Sequence, residues 1–171
     1  MKITLINPPS HYLENDSAYP PSGLLYIAGK AEELGHSAEI IDLTGNSDWA
    51  EELSHIKKSD LFGITCVTPN MPTVLRILDM LPSKTPVMLG GPHPTALPYD
   101  TVTKAKRIHS TVLGEAENIL KQILNDAENG SIRQFYYGGE APLDSIPMPA
   151  RHLVDLRRYK PGGQAATPVY L

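Results

Sequence analysis

One cysteine, Cys66, occurs in 171 residues. No disulfide can therefore form within the chain, and an iron–sulfur cluster held by three or four thiolates cannot be built from it. Basic residues are also in short supply: 15 Lys and Arg against 19 Asp and Glu give a formal charge of −4 and a pI near 5.8. Without a basic footprint, binding to nucleic acid or to an anionic membrane has no electrostatic support. There is no secretory n-region and h-region, and no apolar run approaches the roughly 20 residues a membrane helix needs, so a cytoplasmic protein is expected. H-E-x-x-H, H-x-H and carboxylate clusters are missing, which argues against a protein-built metal site. No nucleophile sits on a strained elbow between glycines, and no catalytic residue is assigned. A G-x-G-x-x-G turn and a P-loop are absent as well, since the first strand runs into two prolines. The acidic residues of a phospho-receiver and the Ser/Thr/Gly loop of a flavodoxin are likewise not found.

Proline, by contrast, is plentiful: 16 residues, grouped at Pro8-Pro9, Pro20-Pro21, Pro92 to Pro98 and Pro142 to Pro149. These groups mark loops. Between them, apolar runs and helical periodicities alternate. Met1 to Asn7 reads as a buried strand; Leu24, Ile27, Ala28, Ala31 and Leu34 line a helix closed by Gly35; Ala38 to Leu43 is a second strand. A helix carrying Trp49, Leu53 and Ile56 follows Ser47, a suitable N-cap. Asp60 to Val67 is a third strand, Val74 to Leu81 a helix, Val87 to Leu89 a fourth strand, Tyr99 to Lys104 a short helix, and Ile108 to Leu113 a fifth strand. Glu115 to Asn129 has the apolar face of an amphipathic helix, ended by Gly130.

Strands that are continuously apolar and alternate with helices call for an α/β fold, a doubly wound, flavodoxin- or Rossmann-like five-stranded parallel sheet with helices on both faces. Residues 1–133 are assigned to this domain and 134–171 to an extension and linker. Gln134 to Gly138 could add a further strand. Thr167 to Leu171 is apolar and strand-like with no polar tail, as expected of a segment inside a longer protein.

In such sheets ligands bind at the carboxyl ends of the strands. Asn7-Pro8-Pro9-Ser10 opens a loop of about a dozen residues, long for a βα connection of roughly 2 to 6. Thr65-Cys66-Val67-Thr68-Pro69-Asn70, Gly90-Gly91-Pro92-His93-Pro94-Thr95 and Gly114-Glu115-Ala116-Glu117 follow the later strands. Gly90-Gly91 permits close approach of a ligand, or equally a tight turn. Thr65 and Thr68 offer hydroxyls to a ligand, although Thr68 also suits a helix cap. Cys66 reads as a buried structural thiol. Glu115 and Glu117 fall in what should be the first turn of the last helix, where a carboxylate is favoured in any case.

Taken in order, Asn7-Pro8-Pro9, Pro21 to Ala28, Gly35-His36, Asp42, Gly90 to Thr95 and Gly114 to Glu117 resemble one family as a set. It is the N-terminal domain of cobalamin-dependent radical S-adenosylmethionine enzymes, a group with anaerobic magnesium-protoporphyrin monomethyl ester cyclases and many methyltransferases. The tail is similar to that family's linker at Ile146 to Arg151 and Tyr159, and Val169-Tyr170-Leu171 to the first strand of its barrel. The resemblance implies a bound cobalamin, with the corrin across the carboxyl edge of the sheet. Its contacts are expected among Pro8, Pro9, Ser10, Pro21, Gly23, Thr65, Val67, Thr68, Pro69, Asn70, Gly90, Gly91, Pro92, His93, Thr95, Gly114, Glu115 and Glu117. It also implies a radical S-adenosylmethionine barrel on the same polypeptide, holding a [4Fe–4S] cluster and S-adenosylmethionine outside this chain, and a parent enzyme of methyl transfer or radical cyclisation. One departure stands out. Where the methionine synthase type of domain has D-x-H-x-x-G, this chain has Ala18 and Pro20 before Gly23, so no histidine ligand to cobalt is expected there, and His93 is the outside candidate. The rival reading is a flavodoxin-like scaffold or interaction domain without cofactor.

Overall fold

The computed structural model describes residues 1–139, 142 and 145–160. Six strands form the sheet: β1 (Lys2–Asn7), β2 (Ser37–Asp42), β3 (Leu61–Thr65), β4 (Val87–Gly90), β5 (Ser110–Leu113) and β6 (Phe135–Tyr137). All pair in parallel, in the order β2-β1-β3-β4-β5-β6. The winding reverses between β1 and β3, which is the topological switch point where open sheets place their ligands. The five strands expected from the sequence are all present, and the count is corrected to six by β6. That strand has only three residues, too few to show a periodicity, and pairs Thr111 with Phe135 and Leu113 with Tyr137.

Helices cover both faces: α1 (Ser22–Glu33), α2 (Trp49–Ser54), α3 (Met71–Met80), α4 (Pro92–Ala96), α5 (Pro98–Lys104) and α6 (Leu120–Glu128). Because side chains alternate along a strand, each face has its own core. Ile6, Phe62, Ile64, Val87 and Leu89 pack with Leu53, Val74, Ile77 and Leu78 on the α2–α3 side. Ile3, Leu5, Met88 and Val112 pack with Ala28, Ala31, Ile123 and Leu124 on the α1–α6 side. Burying one such aliphatic side chain is worth roughly 1.5–3 kcal/mol, so these two layers carry the fold. Ser47 does not cap α2; Asp48 occupies the N-cap, and the Ser47 hydroxyl bonds its carboxylate at 3.3 Å.

The last helix differs from its periodicity. It begins at Leu120, five residues after Glu115. Gly114 takes a φ of +75°, and a Cβ on Gly138 would collide with the carbonyl of Glu115. The backbones of the two loops therefore cross in contact, with Gly138 N–H donating to the Leu113 carbonyl at 2.7 Å and Asn118 Nδ2 to that of Gly139 at 2.8 Å. This crossing holds residues 114–119 out of helical geometry.

The chain beyond β6 returns to α1 and β2. The carbonyl of Met148 occupies the space where a Cβ on Gly29 of α1 would stand, and the Ala150 amide donates to the Leu25 carbonyl at 2.9 Å. Short 3-10 turns at Arg151–Leu153 and Leu156–Arg158 lead to Tyr159, which is 1% exposed. Val169-Tyr170-Leu171, read from sequence as the start of a barrel, lies outside the described residues.

Candidate ligand-binding cleft

A cleft of about 580 Å³ opens at the carboxyl ends of β1, β3 and β4 and runs between the sheet and helices α1 and α6. Its floor is formed by alternate residues of the strands: Ile3, Leu5 and Asn7; Leu61, Gly63 and Thr65; Met88 and Gly90; and Val112. From Leu61 to Thr65 the floor spans roughly 13 Å, at about 3.3 Å per residue. Leu24 and Ile27 of α1 form one wall and Leu120 and Ile123 of α6 the other. The volume falls within the few hundred to about 1,000 Å³ usual for small-molecule sites.

The cleft exists because the sheet is bare in the middle. Gly63 and Gly90 carry no side chains, so β3 and β4 present backbone where neighbouring strands present Leu5 and Val112. A Cβ at Gly90 would meet only Val112, at an ordinary 3.9 Å, and a Cβ at Gly63 would approach Leu5 Cδ2 at 2.8 Å. Gly91 has a different reason to be glycine. Its φ is +98°, and a Cβ there would stand 2.9 Å from Thr65 Oγ1 and 3.1 Å from the Cys66 backbone. The close approach at Gly91 is thus made by the protein itself, and Gly90 is the one that faces open space.

Ten of the residues expected from sequence line the cleft: Pro21, Gly23, Thr65, Gly90, Gly91, Pro92, Thr95, Gly114, Glu115 and Glu117. Pro8, Pro9, Ser10, Val67, Thr68, Pro69, Asn70 and His93 do not. After Asn7 the long loop folds over its neighbours. Asn70 Nδ2 donates to Ser10 Oγ at 3.1 Å, and the Asp16 carboxylate accepts from the amides of Ser10 at 3.0 Å and Gly45 at 2.8 Å. Val67, Thr68, Pro69 and Asn70 enter α3 through a 3-10 turn, Thr68–Asn70. His93 is 3% exposed, with Nδ1 against Thr68 Oγ1. Its Nε2 lacks a hydrogen-bond partner among the described residues and stands 3.9 Å from Asp100 Oδ2.

Glu115 and Glu117 reach the mouth because the loop that carries them is not helical. Burial pushes the Glu117 carboxyl above its usual range; a hydrogen bond from its own backbone amide opposes this, and the Glu115 charge adds to it. Cys66 is fully buried, and desolvation pushes its thiol up to about 12, well away from a reactive thiolate. Sequence reasoning missed the apolar floor and walls, Ile3, Leu5, Leu24, Ile27, Met88, Val112, Leu120 and Ile123, and the polar pair Asn7 and Ser22. A glycine inside a buried strand, Gly63, was the available signal.

An open doubly wound domain with an apolar, glycine-floored cleft at its strand ends has the form in which such sheets receive small organic ligands. Residues 14–124 match the family described as the B12 binding domain. The chain belongs to the B12-binding domain family. It is 31% identical, over 95% of its length, to an uncharacterized methyltransferase of Pyrococcus horikoshii. Over 99% of its length it is 26% identical to the anaerobic magnesium-protoporphyrin IX monomethyl ester cyclase of Synechocystis. It covers 41% and 39% of these proteins, so the chain spans about two-fifths of the curated relatives it matches.

Two solved structures share the fold. The radical S-adenosylmethionine methyltransferase TsrM of Kitasatospora setae superposes with a TM-score of 0.64 at 23% identity, over 75% of this chain and 26% of TsrM. The cobalamin-dependent S-adenosylmethionine radical enzyme OxsB, with aqua-cobalamin bound, does so with a TM-score of 0.63 at 15% identity, over 87% of this chain and 24% of OxsB.

Proposed function

We propose that this chain is the cobalamin-holding domain of a larger radical S-adenosylmethionine enzyme that carries out methyl transfer or radical cyclisation. The observation that carries the reading is the bare strip over β3 and β4 in a chain of the B12-binding family. The residues fit the group: cobalamin has a long nucleotide tail ending in a flat, apolar base, and the cleft is long, apolar at depth and hydroxyl-bearing at the mouth, where Ser22, Thr65 and Thr95 stand. Gly63 and Gly90 would admit the tail, and the loops at Pro92, Thr95 and Gly114 to Glu117 would border the corrin. When bound, the cobalt supplies a centre that carries a methyl group or exchanges electrons. The chain's part is to hold the tail, exclude water from the apolar floor and leave the corrin at the strand ends, facing whatever follows in the polypeptide.

The same reading gives the cobalt no protein histidine. Ala18 and Pro20 stand where the histidine-ligating type has Asp and His, proline offers no nitrogen lone pair, and among the described residues no histidine lines the cleft. The [4Fe–4S] cluster and S-adenosylmethionine belong to the remainder of the parent polypeptide, beside a barrel that acts on a small molecule. No helix of the described residues is long and apolar enough to cross a membrane.

The test is to load the chain with hydroxocobalamin, remove free corrin by gel filtration and record the visible spectrum. Retained, stoichiometric corrin without imidazole ligation is expected. A colourless protein after repeated loading overturns the reading in favour of a scaffold domain.

A further inference from the structure

Asn7 closes β1 and lies on the cleft floor in line with Ile3 and Leu5. Its side chain is held from behind. Asn7 Nδ2 donates to Asp42 Oδ1 at 2.8 Å, and the two residues are register partners across β1 and β2. The direction of this amide follows from chemistry. Asp42 Oδ1 also accepts from the backbone amide of Thr44 at 3.2 Å and the Thr44 hydroxyl at 2.9 Å. A backbone amide can only donate, so Oδ1 is an acceptor, and the Asn7 atom facing it must be the NH₂ group. The Asn7 oxygen is then left for the cleft, and among the described residues no donor is bonded to it.

Asp42 is itself pinned by the extension. It is 4% exposed, and its Oδ2 accepts from the Tyr159 hydroxyl at 2.5 Å. Arg158 donates to the carbonyls of Asp42 at 3.3 Å and Thr44 at 2.9 Å. A chain of bonds thus runs from the returning extension, through a buried carboxylate, to one amide at the mouth of the cleft.

We infer that Asn7 reads the ligand: its side-chain oxygen accepts a hydrogen bond from a primary amide of the corrin periphery, and Asp42 and Tyr159 are positioning residues that fix the amide's orientation. The inference rests on the cobalamin reading and deepens it. Primary amides are the donors that a corrin carries around its rim, and a carboxylate in the same place would offer no proton at neutral pH. It would also set a negative charge against the Asn7 oxygen and the Asp42 carboxylate behind it.

The experiment compares hydroxocobalamin with its monocarboxylic acids, in each of which one of the six primary amides of the corrin rim, acetamide or propionamide, is replaced by a carboxylate. Dissociation constants are measured for the chain and for Asn7→Ala. The unsubstituted chain should favour the amide over at least one acid by about three- to tenfold, the range of one ordinary hydrogen bond, and Asn7→Ala should lower that ratio, leaving only the repulsion from Asp42. Asp42→Asn, which frees the Asn7 amide to turn, should shrink the same ratio; Asn7→Ala keeps the test decisive if Asp42→Asn does not fold. A purely structural role would weaken amide and acid alike and leave the ratio unchanged, and that result overturns the inference while the cobalamin reading stands. Failure of the unsubstituted chain to retain hydroxocobalamin overturns both.

Discussion

Thr68 Oγ1 and His93 Nδ1 stand 3.1 Å apart and tie the turn after β3 to the start of α4. The contact sits at a buried position away from the cleft lining, which makes His93 a packing residue of the α4 turn. His93→Ala should destabilise the fold by about 2–3 kcal/mol, from the cavity and the lost hydrogen bond. It should leave the visible spectrum of the cobalamin complex unchanged. Denaturant unfolding and a spectral titration check the two halves; loss of a nitrogen-ligation signature would make His93 a cobalt ligand.

The adjacent glycines should separate binding from stability. Gly90→Val projects into the open cleft, so hydroxocobalamin retention should fall at least tenfold with little change in thermal unfolding. Gly91→Ala must adopt a left-handed backbone against Thr65, a strain of about 1–3 kcal/mol, and should lower the unfolding free energy first. Equal effects of the two substitutions on both measurements would refute this division.

Alkaline pH should loosen the domain in a defined direction. The Cys66 thiol is raised from 9.0 to about 12 by burial, and Tyr159 is raised above 10 by burial, its bond to Asp42 and that residue's charge. Both groups bind their proton more tightly folded than unfolded. Their contribution is therefore complete below about pH 9 and is lost as pH rises towards the folded values. Unfolding free energy measured from pH 8 to 11 should fall, and less steeply in Tyr159→Phe. A thiol reagent at pH 8 should label Cys66 only in denaturant.

Gly138→Ala tests the loop crossing. Its methyl group would displace Glu115, so the variant should lose both stability and corrin retention. Unchanged retention would show that the 114–119 loop does not border the ligand.

The layered fold was legible because Ile3, Leu5, Phe62, Ile64 and Leu89 belong to short apolar runs, and because Leu24, Ala28 and Ala31 recur at helical spacing. β6 was only glimpsed, since three residues hold no period and their strand is fixed by pairing with β5. The start of α6 was misplaced for a similar reason: Glu115 to Ile119 has helical composition, and what prevents the helix is Gly138, more than 20 residues away in sequence. In the site, Thr65 and Thr68 both offered hydroxyls, yet one ends a strand facing the cleft and the other opens the 3-10 turn that leads into α3. Leu5 and Met88 read simply as core. Only the spacing of α1 and α6 reveals that part of their surface is left uncovered.

The floor beside Gly63 and Gly90 also bears on how firmly the domain stays folded. The apolar channel runs through one of the two cores, so a guest that fills it and binds only the folded chain stabilises the fold by an amount that grows with the logarithm of its concentration. Resistance of the chain to a protease should therefore rise as hydroxocobalamin is added, in step with its binding.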